Sequence, residues 1–308
     1  MMLYIAIKVA MGRKDKSGDL LPSTRSELYE AFISTLFNHH EEKGKHLRAD
    51  RIQIENALTD LYFNLQCRNE VSCKYFEALK FVKESSEDPM FRKISPQVIL
   101  EECFKLGLLS KNGYHVSYEI HQSFQEYFAA IKLKELFESG YDVSEAFSHP
   151  KWEEVVIFTS EMLVSVDEFI ELMISKKELY LASKCTNKAS DEIKEKLCAL
   201  LADEIDSGYR LEKINSIKSL GRIGNTGGSN TAMQLLINAL KDEDSDVRRN
   251  AAYALGKICT VKNKKQLEEL LESEHEFSVN TAYKILYEIE KEERSKAILF
   301  KDEEFLKS

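Results

Sequence analysis

Chain-breaking residues are scarce here: 308 residues hold only 4 prolines and 12 glycines. So few of them leave little room for loops, and the chain is expected to be mainly α. No apolar run approaches the ~20 residues that a bilayer-spanning helix needs, so no membrane-spanning helix is expected in these residues. The apolar start, Met1 to Ala10, lacks a basic region ahead of it and a small-residue cleavage site, so it does not read as a signal peptide. The 6 cysteines (Cys67, Cys73, Cys103, Cys185, Cys198 and Cys259) form no C-x-x-C pair and no metal-ligand spacing. They read as reduced, mostly buried thiols of a cytoplasmic protein. The neighbours His39, His40 and His46 point to different faces of a helix end and do not make a metal site. A net charge of −9 argues against a general nucleic-acid binder, because phosphate neutralisation needs a basic footprint.

What is present is 43% hydrophobic and 31% charged residues, enough for a core and a hydrated surface, at a length that suggests roughly two domains. Residues from Met1 to about Met11 read as a helix and Gly12 to Gly18 as a polar loop. Leu21-Pro22-Ser23-Thr24-Arg25 then leads into a helix whose apolar face is Leu28, Ala31, Phe32, Thr35 and Leu36. From Ala49 another amphipathic helix carries Ile52, Leu58, Leu61, Tyr62 and Leu65, and Ser85 to Pro89 is a polar break. Ser95-Pro96 opens a helix with a cap residue followed by proline in the first turn, and Gly107 closes it. Leu108 to Ser110, an Asn112-Gly113 turn and an alternating strand from Tyr114 to Ile120 predict a β-hairpin. Helix, helix, hairpin, helix is the order of a winged-helix unit. Its second helix offers Glu101 and Glu102 against Lys105, a poor face for reading DNA.

The strand runs straight into His121-Gln122-Ser123-Phe124-Gln125-Glu126-Tyr127-Phe128-Ala129-Ala130. Ser123 and Glu126 have capping-box spacing, and Phe124, Tyr127, Phe128 and Ile131 share one helical face. His121 is thereby placed at a helix N-terminus, where backbone N–H groups favour an anion. The lone tryptophan, Trp152, reads as a core anchor on a helix with Val155, Val156 and Ile157.

From Arg210 the chain repeats. Ile214 to Ile223 aligns with Arg249 to Ile258, and Val279 to Leu286 is a weaker third copy. Helix pairs at a spacing of about 30–35 residues are the mark of an α-solenoid. Asp246-Val247-Arg248 ahead of Ala251-Ala252-Tyr253-Ala254-Leu255-Gly256 resembles the second helix of a HEAT repeat. Small residues there permit close packing, and the Asp and Arg are expected to bridge neighbouring units. Lys213 takes the arginine position in the first copy and Ser278 in the third, with the helices before Arg210 acting as a cap.

Taken together, Leu21-Pro22-Ser23-Thr24-Arg25-Ser26-Glu27-Leu28-Tyr29, the winged-helix pattern and the His121–Ala130 stretch resemble the carboxy-terminal part of a NACHT module. That is the nucleotide-binding module of STAND-class signalling NTPases, often followed by HEAT-like repeats in prokaryotic members. The resemblance implies four parts: a helical segment at 1–47, a winged helix at 48–139, connecting helices at 140–205 and HEAT-like repeats at 206–308. It also gives His121 the role of contacting the phosphate of bound ADP, and it implies a part in signalling or defence against phage.

The chain departs from the family in having no G-x-x-x-x-G-K-[ST] phosphate loop; Gly256-Lys257-Ile258 lacks the upstream glycine and the hydroxyl residue. Without phosphate cradle and metal, it is not expected to hydrolyse ATP alone. The leading expectation is therefore a non-catalytic regulatory and sensor portion. Its winged helix would close on a nucleotide-binding domain, upstream or in trans, that supplies ADP or ATP, and its solenoid would bind a protein partner. The alternative is a free-standing HEAT-type interaction scaffold in which the winged helix is structural and His121 is a packed hinge residue.

Overall fold

The computed structural model describes residues 22–44, 46–83, 93–226, 230–260, 263–273 and 275–307. The expected helix and loop before Pro22 lie outside these residues, as does the break at Ser85–Pro89. The fold is mainly helical with one small antiparallel sheet, and the chain divides into two compact units, 1–164 and 165–308.

In the first unit, α1 (Arg25–Glu42) starts at a capping box in which Thr24 accepts from the Glu27 amide and Glu27 reaches back. Leu28 and Phe32 are buried as expected, but the rest of the buried face is Tyr29, Ile33 and Phe37. Ala31, Thr35 and Leu36 are only half-buried, because the helix turns Tyr29 toward the rings of Phe124 and Phe158. Helix α2 (Arg51–Cys67) buries Ile54, Ala57, Leu58, Leu61, Tyr62 and Leu65. Ile52, expected inside, is 53% exposed. The first turn is instead oriented by Gln53, which is buried and accepts from the Asp50 amide at 3.2 Å.

After α2 come β1 (Ser72–Lys74), α3 (Tyr75–Phe81), α4 (Pro96–Lys105), β2 (Leu109–Asn112), β3 (His115–Tyr118) and α5 (Gln122–Glu138). The sheet order is β1-β3-β2, with Cys73 opposite Val116 and Leu109 opposite Tyr118. This is the winged-helix arrangement. Helix α4 is capped by Ser95, whose hydroxyl accepts from the Val98 amide, with Pro96 in its first turn.

Two details of the hairpin differ from expectation. Asn112 pairs with His115, so the loop is Gly113-Tyr114, with Gly113 at φ +61°. Tyr114 is thus a loop residue, 84% exposed, and Val116 is the one fully buried residue of the strand. Trp152 also differs. It ends a 3-10 turn (Pro150–Trp152) and is half-buried, edge-on to Phe63 with ring centroids 5.7 Å apart. The buried residues beyond it, Val155 to Phe158, belong to α6 (Glu153–Met162).

The second unit continues with α7 (Asp167–Ser175) and α8 (Leu179–Lys184) and then three helix pairs. These are α9 (Asp191–Ser207) with α10 (Arg210–Asn225), α11 (Asn230–Ala239) with α12 (Ser245–Ile258), and α13 (Lys264–Leu270) with α14 (Glu276–Lys307). Leu220, Leu236, Leu255 and Leu267 are completely buried between them. Adjacent pairs are tied by charge, as the repeat pattern suggests. Lys213 of α10 reaches Asp242 at 3.0 Å, Arg210 pairs with Asp244 and Asp246, and Arg248 lies 5.6 Å from the Phe277 ring centroid. Helix α9 packs directly against α10.

Candidate functional site

The two stretches that carry the NACHT resemblance meet in the first unit. Tyr29 of α1 donates its hydroxyl hydrogen to Ser123 Oγ at 2.6 Å, and Ser123 Oγ lies 3.0 Å from His121 Nδ1. The Ser123 amide also donates to Nδ1, at 3.1 Å. An Nδ1 that accepts is unprotonated, so the line of donors runs Tyr29 to Ser123 to His121 and leaves Nε2–H as the donor of an exposed ring.

His121 itself is the N-cap of α5, with extended backbone at φ −167° and ψ 152°. This corrects the expected Ser123–Glu126 capping box: the Ser123 hydroxyl is engaged by Tyr29, and the imidazole does the capping. The amides of residues 123 and 124 are already bonded, to the side chain and carbonyl of His121. What the site offers an anion is therefore chiefly Nε2–H and the positive end of a long helix.

Behind the cap the wall is aromatic. Tyr29 contacts Phe124, Tyr127 and Phe158 at centroid distances of 5.0, 5.3 and 5.2 Å. Arg25 lies over Phe158 at 4.8 Å and donates to Glu154 at 2.7 Å and to Glu161 at 3.4 Å. Burial opposes the charge on Arg25, but the two carboxylates outweigh it and raise its pKa. The Tyr29 phenol is pushed up by burial, against the hydrogen bond from its hydroxyl to Ser123. Glu126 is raised by burial and by Glu154, with Arg25 and Gln122 opposing. Arg25, in the L-P-x-x-R part of the pattern, thus anchors α1 to α6, while Tyr29 joins α1 to the histidine.

Sequence reasoning placed His121 correctly at a helix start but did not identify its tie to Tyr29. The signal was the tyrosine that ends the first stretch, whose partner is 94 residues away. On α4 the two glutamates differ from expectation: Glu102 is fully buried and pairs with Arg48 and Lys105, so only Glu101, which also pairs with Arg48, is presented on the surface. Among the described residues no group of His, Cys, Asp and Glu is placed to hold a metal ion. No described helix is long and apolar enough to cross a membrane.

The HEAT repeats family matches residues 188–287. The matched region takes in α9 through α13 and the start of α14, and it fits the helical solenoid formed by these helix pairs. No curated protein matches the chain.

Proposed function

We propose that the chain is the non-catalytic regulatory and sensor portion of a NACHT-type STAND signalling NTPase, with the four-part division at 47, 139 and 205. The helical and winged-helix segments close on a nucleotide-binding domain, upstream or in trans, and the HEAT repeats hold a protein partner. The observation that carries this reading is the Tyr29–Ser123–His121 line, which joins the two motif stretches and leaves Nε2 of an exposed imidazole as the donor at a helix start. A donor in that position suits the phosphate of ADP, and a protein partner or nucleotide that moved His121 would pull on α1 through Tyr29. The test is calorimetry with ADP and ATP, on this chain alone and with a nucleotide-binding domain supplied. Binding only when that domain is present, weakened by His121→Ala, is expected. Equal binding with and without the imidazole defeats the reading.

A second reading is favoured by a different observation. Nδ1 is fully occupied by helix capping, and the family match falls on the repeats. On that reading the chain is a HEAT-type scaffold, His121 is a structural cap, and neither preparation binds nucleotide.

A further inference from the structure

Between the second helices of the first two repeats, α10 and α12, lies a groove of about 460 Å³. Its walls carry Lys218, Arg222 and Asn225 on one side and Asn250, Tyr253 and Lys257 on the other. Gly221 and Ala254 also line it, two small residues at which the helices come into close contact. We propose that this groove holds an acidic peptide segment of a protein partner. The inference rests on the scaffold part of the proposed function and names what the repeats hold; it does not depend on the nucleotide-binding part.

Charge is the first argument. Three cations and no carboxylate line the groove, in a chain whose net charge is −9. The nearest acid on the same helix, Asp246, is occupied by Arg210 and Arg249. Unused donor capacity is the second. Arg222 lies 4.6 Å over the Tyr180 ring and donates to its hydroxyl at 3.0 Å, yet its Nη1 is buried with no hydrogen-bond partner. A buried donor left unfilled is costly, so the Arg222 guanidinium has hydrogen-bonding capacity that the chain itself does not use, and a carboxylate is the acceptor that matches it best.

The third argument is repetition. Tyr253, 66% exposed, follows Asn250 in Asn250-Ala251-Ala252-Tyr253, and Tyr283, 61% exposed, follows Asn280 in Asn280-Thr281-Ala282-Tyr283. An extended segment lying across the helices would meet an amide and an exposed ring at each of these two steps. Lys257 Nζ sits 4.4 Å from the Tyr253 centroid, so one face of that ring is already cationic. Three cations are few for a nucleic acid, whose binding draws on many phosphate contacts, but they match a few carboxylates in register.

The experiment is fluorescence anisotropy on the full chain with a short labelled oligoglutamate peptide. A neutral peptide, an oligolysine peptide and a single-stranded oligothymidylate are the competitors. Oligoglutamate is expected to bind, with affinity falling as salt is raised. The exposed pair Lys218→Glu and Lys257→Glu should weaken it by at least about tenfold, with the thermal melt unchanged, and Lys241→Glu outside the groove should not. Absence of oligoglutamate binding, or binding insensitive to the pair, overturns the inference. So does oligothymidylate held as tightly with the same sensitivity. A neutral or basic peptide held instead also overturns it but leaves the scaffold reading standing, and nucleotide calorimetry has no bearing on the groove.

Discussion

Gly221 and Ala254 hold α10 and α12 in contact: a Cβ placed on Gly221 would stand 2.9 Å from the Cβ of Ala254. Neither atom is the end of a flexible chain, so any side chain there must push the helices apart. Gly221→Val is expected to cost about 1–3 kcal/mol by overpacking. Gly224 is the contrast. Its added Cβ would meet Ile258 Cδ1 at 2.8 Å, a mobile tip, and Ala regains helix propensity of about 0.5–1 kcal/mol. Gly224→Ala should be close to neutral, and urea titration of both variants checks the difference.

Tyr29→Phe keeps the ring among Phe124, Tyr127 and Phe158 and removes only the donor to Ser123. The expected loss is about 0.5–1.5 kcal/mol. Combined with Ser123→Ala, the two effects should be less than additive, because each removes the same hydrogen bond. A double-mutant cycle with no coupling would mean that the two residues do not act together in solution.

Most of the architecture was legible because its signals are local. Ser95-Pro96, the Gly107 stop and the period of the second repeat helices each lie within one element. Long-range pairings were not legible. Ser123 has the spacing of a cap, but Tyr29 takes its hydroxyl, and the adjacent imidazole replaces it. Strand β1 was invisible because three residues, Ser72–Lys74, are too short to show a period; it is defined by pairing with β3. The buried amides also escaped periodicity. Gln125 Nε2 reaches Gln66 Oε1 at 3.1 Å and the Glu70 carbonyl at 2.9 Å, so polar residues also hold α2 against α5. The groove of α10 and α12 depends on residues 218 to 257 coming together, which only the stacking of repeats provides.

Glu126 gives a pH dependence whose sign follows from its surroundings. Burial, with Glu154 next, raises its pKa, so ionisation is harder in the folded chain than in the unfolded one. Its contribution to stability is therefore full below the ordinary glutamate value of ~4.3 and is lost as pH rises from there through the raised value. Glu126→Gln keeps an acceptor for Gln122, which donates to Glu126 Oε1 at 3.3 Å. The variant is expected to be more stable than the parent at neutral pH and indistinguishable from it near pH ~4, in melts across that range. A variant less stable at neutral pH would contradict the argument.

Phe124 tests the core behind the histidine. It is 2% exposed, and its ring meets Tyr29 at 5.0 Å and Phe32 at 5.6 Å. Truncation removes a ring from between α1 and α5 and leaves a cavity walled by other rings, which cannot collapse without moving a helix. Phe124→Ala should cost about 3–5 kcal/mol in denaturant titration. Tyr114→Ala is its control: that ring is 84% exposed at the hairpin tip, and its loss should stay within about 0.5 kcal/mol. A Phe124→Ala loss below ~1 kcal/mol would show that α1 does not seal this core, and His121 would then have no rigid support behind it.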